Sequence, residues 1–133
     1  MTGFVVRNCW DLGTRRRVVT TCEEGFPKPF VNTTGLPIIE RMPGWKGRYF
    51  HSANMTFAHY EFSRGSSIHE HFHPEEEVYE VIDGELEITI DGVSQTARAG
   101  LVAIVPSNPR HSVKALTDGR AIIVDHPARP EFG

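Results

Sequence analysis

From residue 55 onward the chain alternates apolar and polar positions in short runs. In "ELEITI" (85–90), Leu86, Ile88 and Ile90 fall on one side of an extended chain and Glu85, Glu87 and Thr89 on the other, as expected of a strand with one face buried. The runs "MTFAHYEF" (55–62), "VSQTARA" (93–99), "LVAIVP" (101–106), "HSVKAL" (111–116) and "RAIIVDH" (120–126) are of similar length. Asp83-Gly84, Asp91-Gly92 and Asp118-Gly119 mark turns between such runs, the first two as hairpins. No window of helical length keeps a 3.6-residue apolar stripe. Strands at this spacing predict an all-β antiparallel sandwich or barrel. Residues 23–47 carry four prolines and four glycines without a sustained period, which predicts an irregular arm with one short strand near Leu36–Glu40.

Composition narrows this picture. A chain of 133 residues is long enough for one core, and 12 Gly with 9 Pro suit many tight turns. The net charge of −3 argues against a nucleic-acid partner, and the one basic run, Arg15 to Arg17, leads into Val18 and Val19 as a solvated strand end. Cys9 and Cys22 lack metal-ligand spacing and are expected to be free structural thiols. No stretch approaches the roughly 20 apolar residues that span a bilayer, and no signal-peptide core is present. The expectation is a soluble, cytoplasmic protein that uses no membrane.

The chemistry concentrates in "HEHFHPEEEVYEVIDG" (69–84). On a strand, residues two apart point the same way, so His69, His71 and His73 share a face. A turn at Pro74 to Glu76 brings back a strand on which Glu77, Tyr79 and Val81 share another. A carboxylate can thus meet imidazoles across the turn, and a mixed nitrogen and oxygen donor set suits a first-row divalent metal.

This stretch resembles the first motif of the cupin family, Gly-x5-His-x-His-x3-Glu-x6-Gly, with Gly65, His71, His73, Glu77 and Gly84 filling every position. "GLVAIVPSNPRHSVKA" (100–115) resembles the second motif through Gly100, Pro106 and His111. Asn108 stands in place of a glycine, and asparagine tolerates the left-handed backbone that glycine supplies there. The resemblance implies a double-stranded β-helix, or jelly-roll, barrel over residues 48–126, an N-terminal arm over 1–47 and a tail over 127–133. It implies one divalent transition metal per chain (Zn, Ni, Mn or Fe) held by His71, His73, Glu77 and His111. It also implies a homodimer, with N-terminal strands, including the run "RVVTT" (17–21), packed on the partner.

Such a site implies metal-assisted proton transfer, as in isomerisation, elimination or ring opening, on a small anionic or polyoxygenated molecule such as a sugar acid, hydroxy acid or keto acid. The same donors serve iron in dioxygenases, and a non-catalytic binding module is a third possibility. Tyr79 and His69 are candidates for the base. His59 alternates with Met55, Phe57 and Glu61 and is a candidate for lining the cavity, whereas His51 and His126 match no ligand position. The tail "HPARPEF" and the two motif regions are similar to the pectin-degradation sugar-acid cupins, which implies that Arg129 binds a carboxylate. Two departures stand out: Glu77 replaces a glutamine, and Ile123 stands where that group has an acidic residue on the last strand.

Overall fold

The computed structural model describes the backbone of residues 5–11, 16–22 and 29–132, and side chains from residue 29 to residue 132. It contains two units. The first holds a hairpin of β1 (Val5–Asp11) and β2 (Arg16–Cys22), antiparallel from Val5↔Cys22 to Asp11↔Arg16. The side chains of Cys9 and Cys22, and so their expected state as thiols, lie outside the described residues.

The second unit begins at Val31 and contains ten strands: β3 (Ile39–Met42), β4 (Trp45–His51), β5 (Thr56–Phe62), β6 (Ser67–His71), β7 (Glu76–Asp83), β8 (Leu86–Ile90), β9 (Val93–Ala97), β10 (Val102–Val105), β11 (His111–Ala115) and β12 (Gly119–His126). They form a six-stranded sheet in the order β10-β7-β12-β5-β4-β3 and a four-stranded sheet in the order β6-β11-β8-β9. All pairings are antiparallel, as the jelly-roll expectation requires. The one helical element among the described residues is a 3-10 turn at Thr33–Gly35, capped by the Asn32 side chain.

Alternation fixes which side chains meet between the sheets. Trp45, Tyr49, Tyr60, Tyr79, Leu86 and Val113 are buried there, with Trp45 edge-on to Tyr60 at 5.5 Å. Asp91 (φ 50°) and Gly92 (φ 80°) close a two-residue hairpin between Ile90 and Val93. Asp83-Gly84 and Asp118-Gly119 do something else. They carry the chain from one sheet to the other, β7 to β8 and β11 to β12. The two corners press together: a Cβ on Gly84 would strike the Asp118 carbonyl, and one on Gly119 the Asp83 carbonyl.

The barrel starts earlier than residue 48. β4 runs through the expected arm, because Gly47 reads as a loop signal yet sits mid-strand where the rings of Tyr49 and Tyr60 leave no room for a Cβ, 2.8–2.9 Å away. The short strand expected at 36–40 forms at Ile39–Met42 and pairs with β4. The tail beyond His126 is tied back, with the Arg129 N–H donating to Thr56 Oγ1 at 2.7 Å and Phe132 packed on the core. His59 does not line the cavity. β5 turns Thr56, Ala58, Tyr60 and Phe62 inward, so His59 faces out, edge-on to Phe50 at 5.2 Å. The face that turns in carries no charged side chain, whereas the Met55, Phe57, His59 face ends in the exposed Glu61.

Candidate metal centre

Both sheets contribute to one cluster. On the four-stranded sheet, β6 and β11 pair with His71 directly opposite His111, and His73 follows just after β6. On the six-stranded sheet, β7 turns Glu77, Tyr79 and Val81 inward. His71, His73, Glu77 and His111 each offer one donor atom, and these four atoms lie within 4.8 Å of one another. Glu77 Oε1 is 3.3 Å from His111 Nε2, and its Oε2 is 3.7 Å from His73 Nε2.

The three imidazoles are oriented in the same way. Nδ1 of His71 donates to the His69 carbonyl at 2.7 Å, that of His73 to the Glu75 carbonyl at 2.9 Å, and that of His111 to the Pro109 carbonyl at 3.1 Å. A carbonyl only accepts, so each Nδ1 carries the proton and each Nε2 presents its lone pair to the centre. His73 Nε2, His111 Nε2 and Glu77 Oε1 are buried without a hydrogen-bond partner among the described residues. Lone pairs converging on a carboxylate repel unless a cation stands between them. The donor set therefore fits a divalent metal ion.

The turn that carries His111 is set by backbone geometry. Asn108 adopts φ 81°, the left-handed conformation expected of it, and its N–H donates to the His73 carbonyl at 2.9 Å, tying the two ligand loops together.

The electrostatics are those of an acid pair. Burial pushes Glu77 up, but the surrounding His111, His73, Asp125 and Tyr79 side chains outweigh it and hold the carboxylate well below its ordinary range. Burial lowers His111, and its contacts with Glu77 and the Pro109 carbonyl overcome this and leave it raised. Burial holds His71 below its ordinary value. Asp125 is pushed up to about 9 by burial and by its hydrogen bond and charge repulsion with Glu77.

Asp125 is the site residue that sequence alone does not single out. It lies opposite Glu77 in the β7–β12 register, on the inward face of β12 with Ala121 and Ile123. Ile123 is buried, so the acidic group of the last strand is present one pleat further along the same face. The available signal was this alternation, Ala121, Ile123, Asp125, ending an apolar run in a carboxylate four residues before Arg129.

The remaining candidates take different places. Arg129 reaches Asp125 (Nη1 to Oδ2, 3.8 Å) and Glu131 (Nε to Oε2, 3.2 Å), with its guanidinium 4.1 Å above the Phe132 ring. Tyr79 is fully buried, and burial together with the Glu77 charge raises its phenol well above the ordinary value. A phenol held protonated in this way, two residues from Glu77 on the same inward face, is a poor base. His69 is exposed at the rim, its ring 5.7 Å from that of His71.

Known proteins share this fold and part of this sequence. The chain superposes on a crystal structure of an RmlC-like cupin from Shewanella frigidimarina with a TM-score of 0.75 and 25% identity, over 80% of this chain and 97% of that one. It superposes on KdgF from Halomonas sp. with a TM-score of 0.75 and 20% identity, over 80% and 100%. A curated relative, "Polyketide synthase CurC" of Streptomyces cyaneus, is 39% identical over 64 residues, 47% of this chain and 41% of that protein. The match thus spans less than half the length of that relative. The profile of the family described as "Cupin domain" matches residues 58–127, which include all four candidate ligands and more than half of the chain. The chain belongs to the cupin family.

Proposed function

We propose that this protein is a mononuclear divalent-metal enzyme that moves a proton on a small hydroxy, keto or sugar acid, leading to isomerisation, elimination or ring opening. The observation that carries it is the convergence of three Nε2 lone pairs and one carboxylate, of which His73 Nε2, His111 Nε2 and Glu77 Oε1 are buried without partners among the described residues, beside a second buried carboxyl. His71, His73, Glu77 and His111 would hold the ion. When bound, it supplies Lewis-acid stabilisation of negative charge developing on a substrate oxygen.

The other residues have roles of their own. Asp125 carries a proton in the metal-free site, and its Oδ1 has no partner among the described residues, which suits it to hold and release the proton that the reaction moves. Arg129, beside Asp125, provides a cation for a substrate carboxylate. The inward aromatics Tyr60 and Tyr79 keep water from the carboxyl pair. Polyketides are rich in enolisable oxygen groups, and the likeness to a protein named as a polyketide synthase supports a substrate of that character.

Elemental analysis of the purified protein tests the site: one divalent metal per chain is expected, and an unchanged content in His71→Ala would overturn the ligand assignment. Carbon-bound proton exchange in D₂O, followed by NMR across sugar, hydroxy and keto acids, tests the chemistry. Exchange that needs both metal and Asp125 supports proton transfer. Oxygen consumption with iron and a catechol or diketone would assign the site to a dioxygenase instead, and tight binding without either would assign a binding module.

A further inference from the structure

Four side chains lie level across the six-stranded sheet: His51 on β4, Thr56 on β5, Asp125 on β12 and Glu77 on β7. Asp125 and Glu77 belong to the site. His51 and Thr56 are committed instead to hydrogen bonds with the tail segment 127–132.

Those bonds close on themselves. The Arg129 N–H donates to Thr56 Oγ1 at 2.7 Å, and His51 bridges Thr56 Oγ1 (Nδ1, 2.8 Å) and the Phe132 carbonyl (Nε2, 2.7 Å). A carbonyl only accepts, so in the neutral imidazole Nε2 carries the proton, and Nδ1 accepts from the Thr56 hydroxyl. The Phe132 N–H then returns to the Arg129 carbonyl at 3.0 Å. Every donor in the circuit has an acceptor, and the circuit fixes the backbone at Arg129 and at Phe132. Thr56 is 1% exposed, so water competes little for its two bonds.

Side-chain packing holds the same segment. Two guanidiniums lie over the Phe132 ring, Arg129 at 4.1 Å and Arg41 at 4.4 Å, and Tyr49 meets it edge-on at 5.8 Å. Arg41 also donates to the Glu131 carbonyl. His51 and Phe132 thus determine where the Arg129 guanidinium stands, with Nη1 3.8 Å from Asp125 Oδ2. An arginine already ordered in place gives up less rotamer entropy when a ligand arrives.

We propose that His51 and Phe132 are positioning residues, which fasten segment 127–132 as a strap that holds Arg129 ready for a substrate carboxylate. The inference rests on the carboxylate role given to Arg129 above, and adds what sets that role.

Calorimetric titration of the zinc-loaded protein with α-ketoglutarate and α-ketovalerate tests it, since the two keto acids differ by one distal carboxylate. The natural chain should prefer α-ketoglutarate, and Arg129→Ala should reduce that preference at least about tenfold. His51→Ala and Phe132→Ala should each reduce it about fivefold. Phe132→Tyr keeps the ring and should stay within about twofold of the natural chain, as should Arg129→Ala with Phe132→Ala relative to Arg129→Ala alone. General damage to the fold weakens both ligands alike and leaves their ratio unmoved. A second readout needs no ligand: exchange of the Arg129 amide hydrogen, followed by NMR, should quicken at least about tenfold in His51→Ala and Phe132→Ala. A natural chain without the preference, or one whose preference survives Arg129→Ala, would overturn the carboxylate role and this inference with it. Loss of preference in Arg129→Ala but not in His51→Ala and Phe132→Ala, or additive losses in the double variant, would overturn the strap alone.

Discussion

Glu77 and Asp125 face each other across two strands, yet the protein holds them in opposite protonation states. This has a measurable consequence in the metal-free protein. Asp125 titrates near 3.8 when unfolded and is raised to about 9 when folded, so the stability it contributes is complete below pH 3.8 and is lost as pH rises toward 9. Glu77 runs the other way: its contribution is present above 4.5 and is lost only as pH falls. Between pH 5.5 and 8.5 only Asp125 of this pair changes, with a limiting slope of about 1.4 kcal/mol per pH unit. Asp125→Asn should flatten that part of the slope, as read from denaturant midpoints in the presence of a chelator. Tyr79→Phe removes the buried phenol that helps keep Glu77 ionised and should weaken metal binding about 10–100-fold in a chelator competition, with little change in the fold. At this scale the sequence was informative where the chemistry was local. The left-handed turn at Asn108 follows from residue type, and the four candidate ligands follow from motif spacing. Asp125 did not, because its partner is set by the register of β12 on β7, which no local pattern records.

Among the elements, the turns separate two jobs that look alike in sequence. Asp91-Gly92 closes a hairpin in open space, whereas Gly84 sits at a corner where a Cβ would strike the Asp118 carbonyl. Gly92→Ala should therefore cost only the left-handed penalty, about 1–2 kcal/mol, and Gly84→Ala about 3 kcal/mol or more, compared by chemical denaturation. The alternation that predicts β8 holds fully, since Leu86 and Ile88 are buried and Ile90 packs against them. β4 escaped the same approach for a physical reason. Its glycine serves ring packing and its neighbours are prolines and glycines, so a mid-sheet strand carries the composition of a loop. On β5 alternation was present, but both faces are partly apolar, and the ionisable His59 and Glu61 on one of them leave the Ala58, Tyr60, Phe62 face to turn in.

For the whole molecule, a site that joins the two sheets couples ion binding to stability. A metal present at about 100 times its dissociation constant should stabilise the fold by about 2.7 kcal/mol, a rise of about 10 °C in melting temperature for a chain of this size, and His71→Ala should abolish it. The four donors are distributed unevenly along the chain: His71, His73 and Glu77 lie within seven residues, while His111 is far off in sequence. A denatured chain keeps the first three tethered and so retains some affinity for the same ion. The thermal gain on adding metal should then fall short of what direct titration of the folded protein implies, and the shortfall measures a chelate that the disordered polypeptide carries with it.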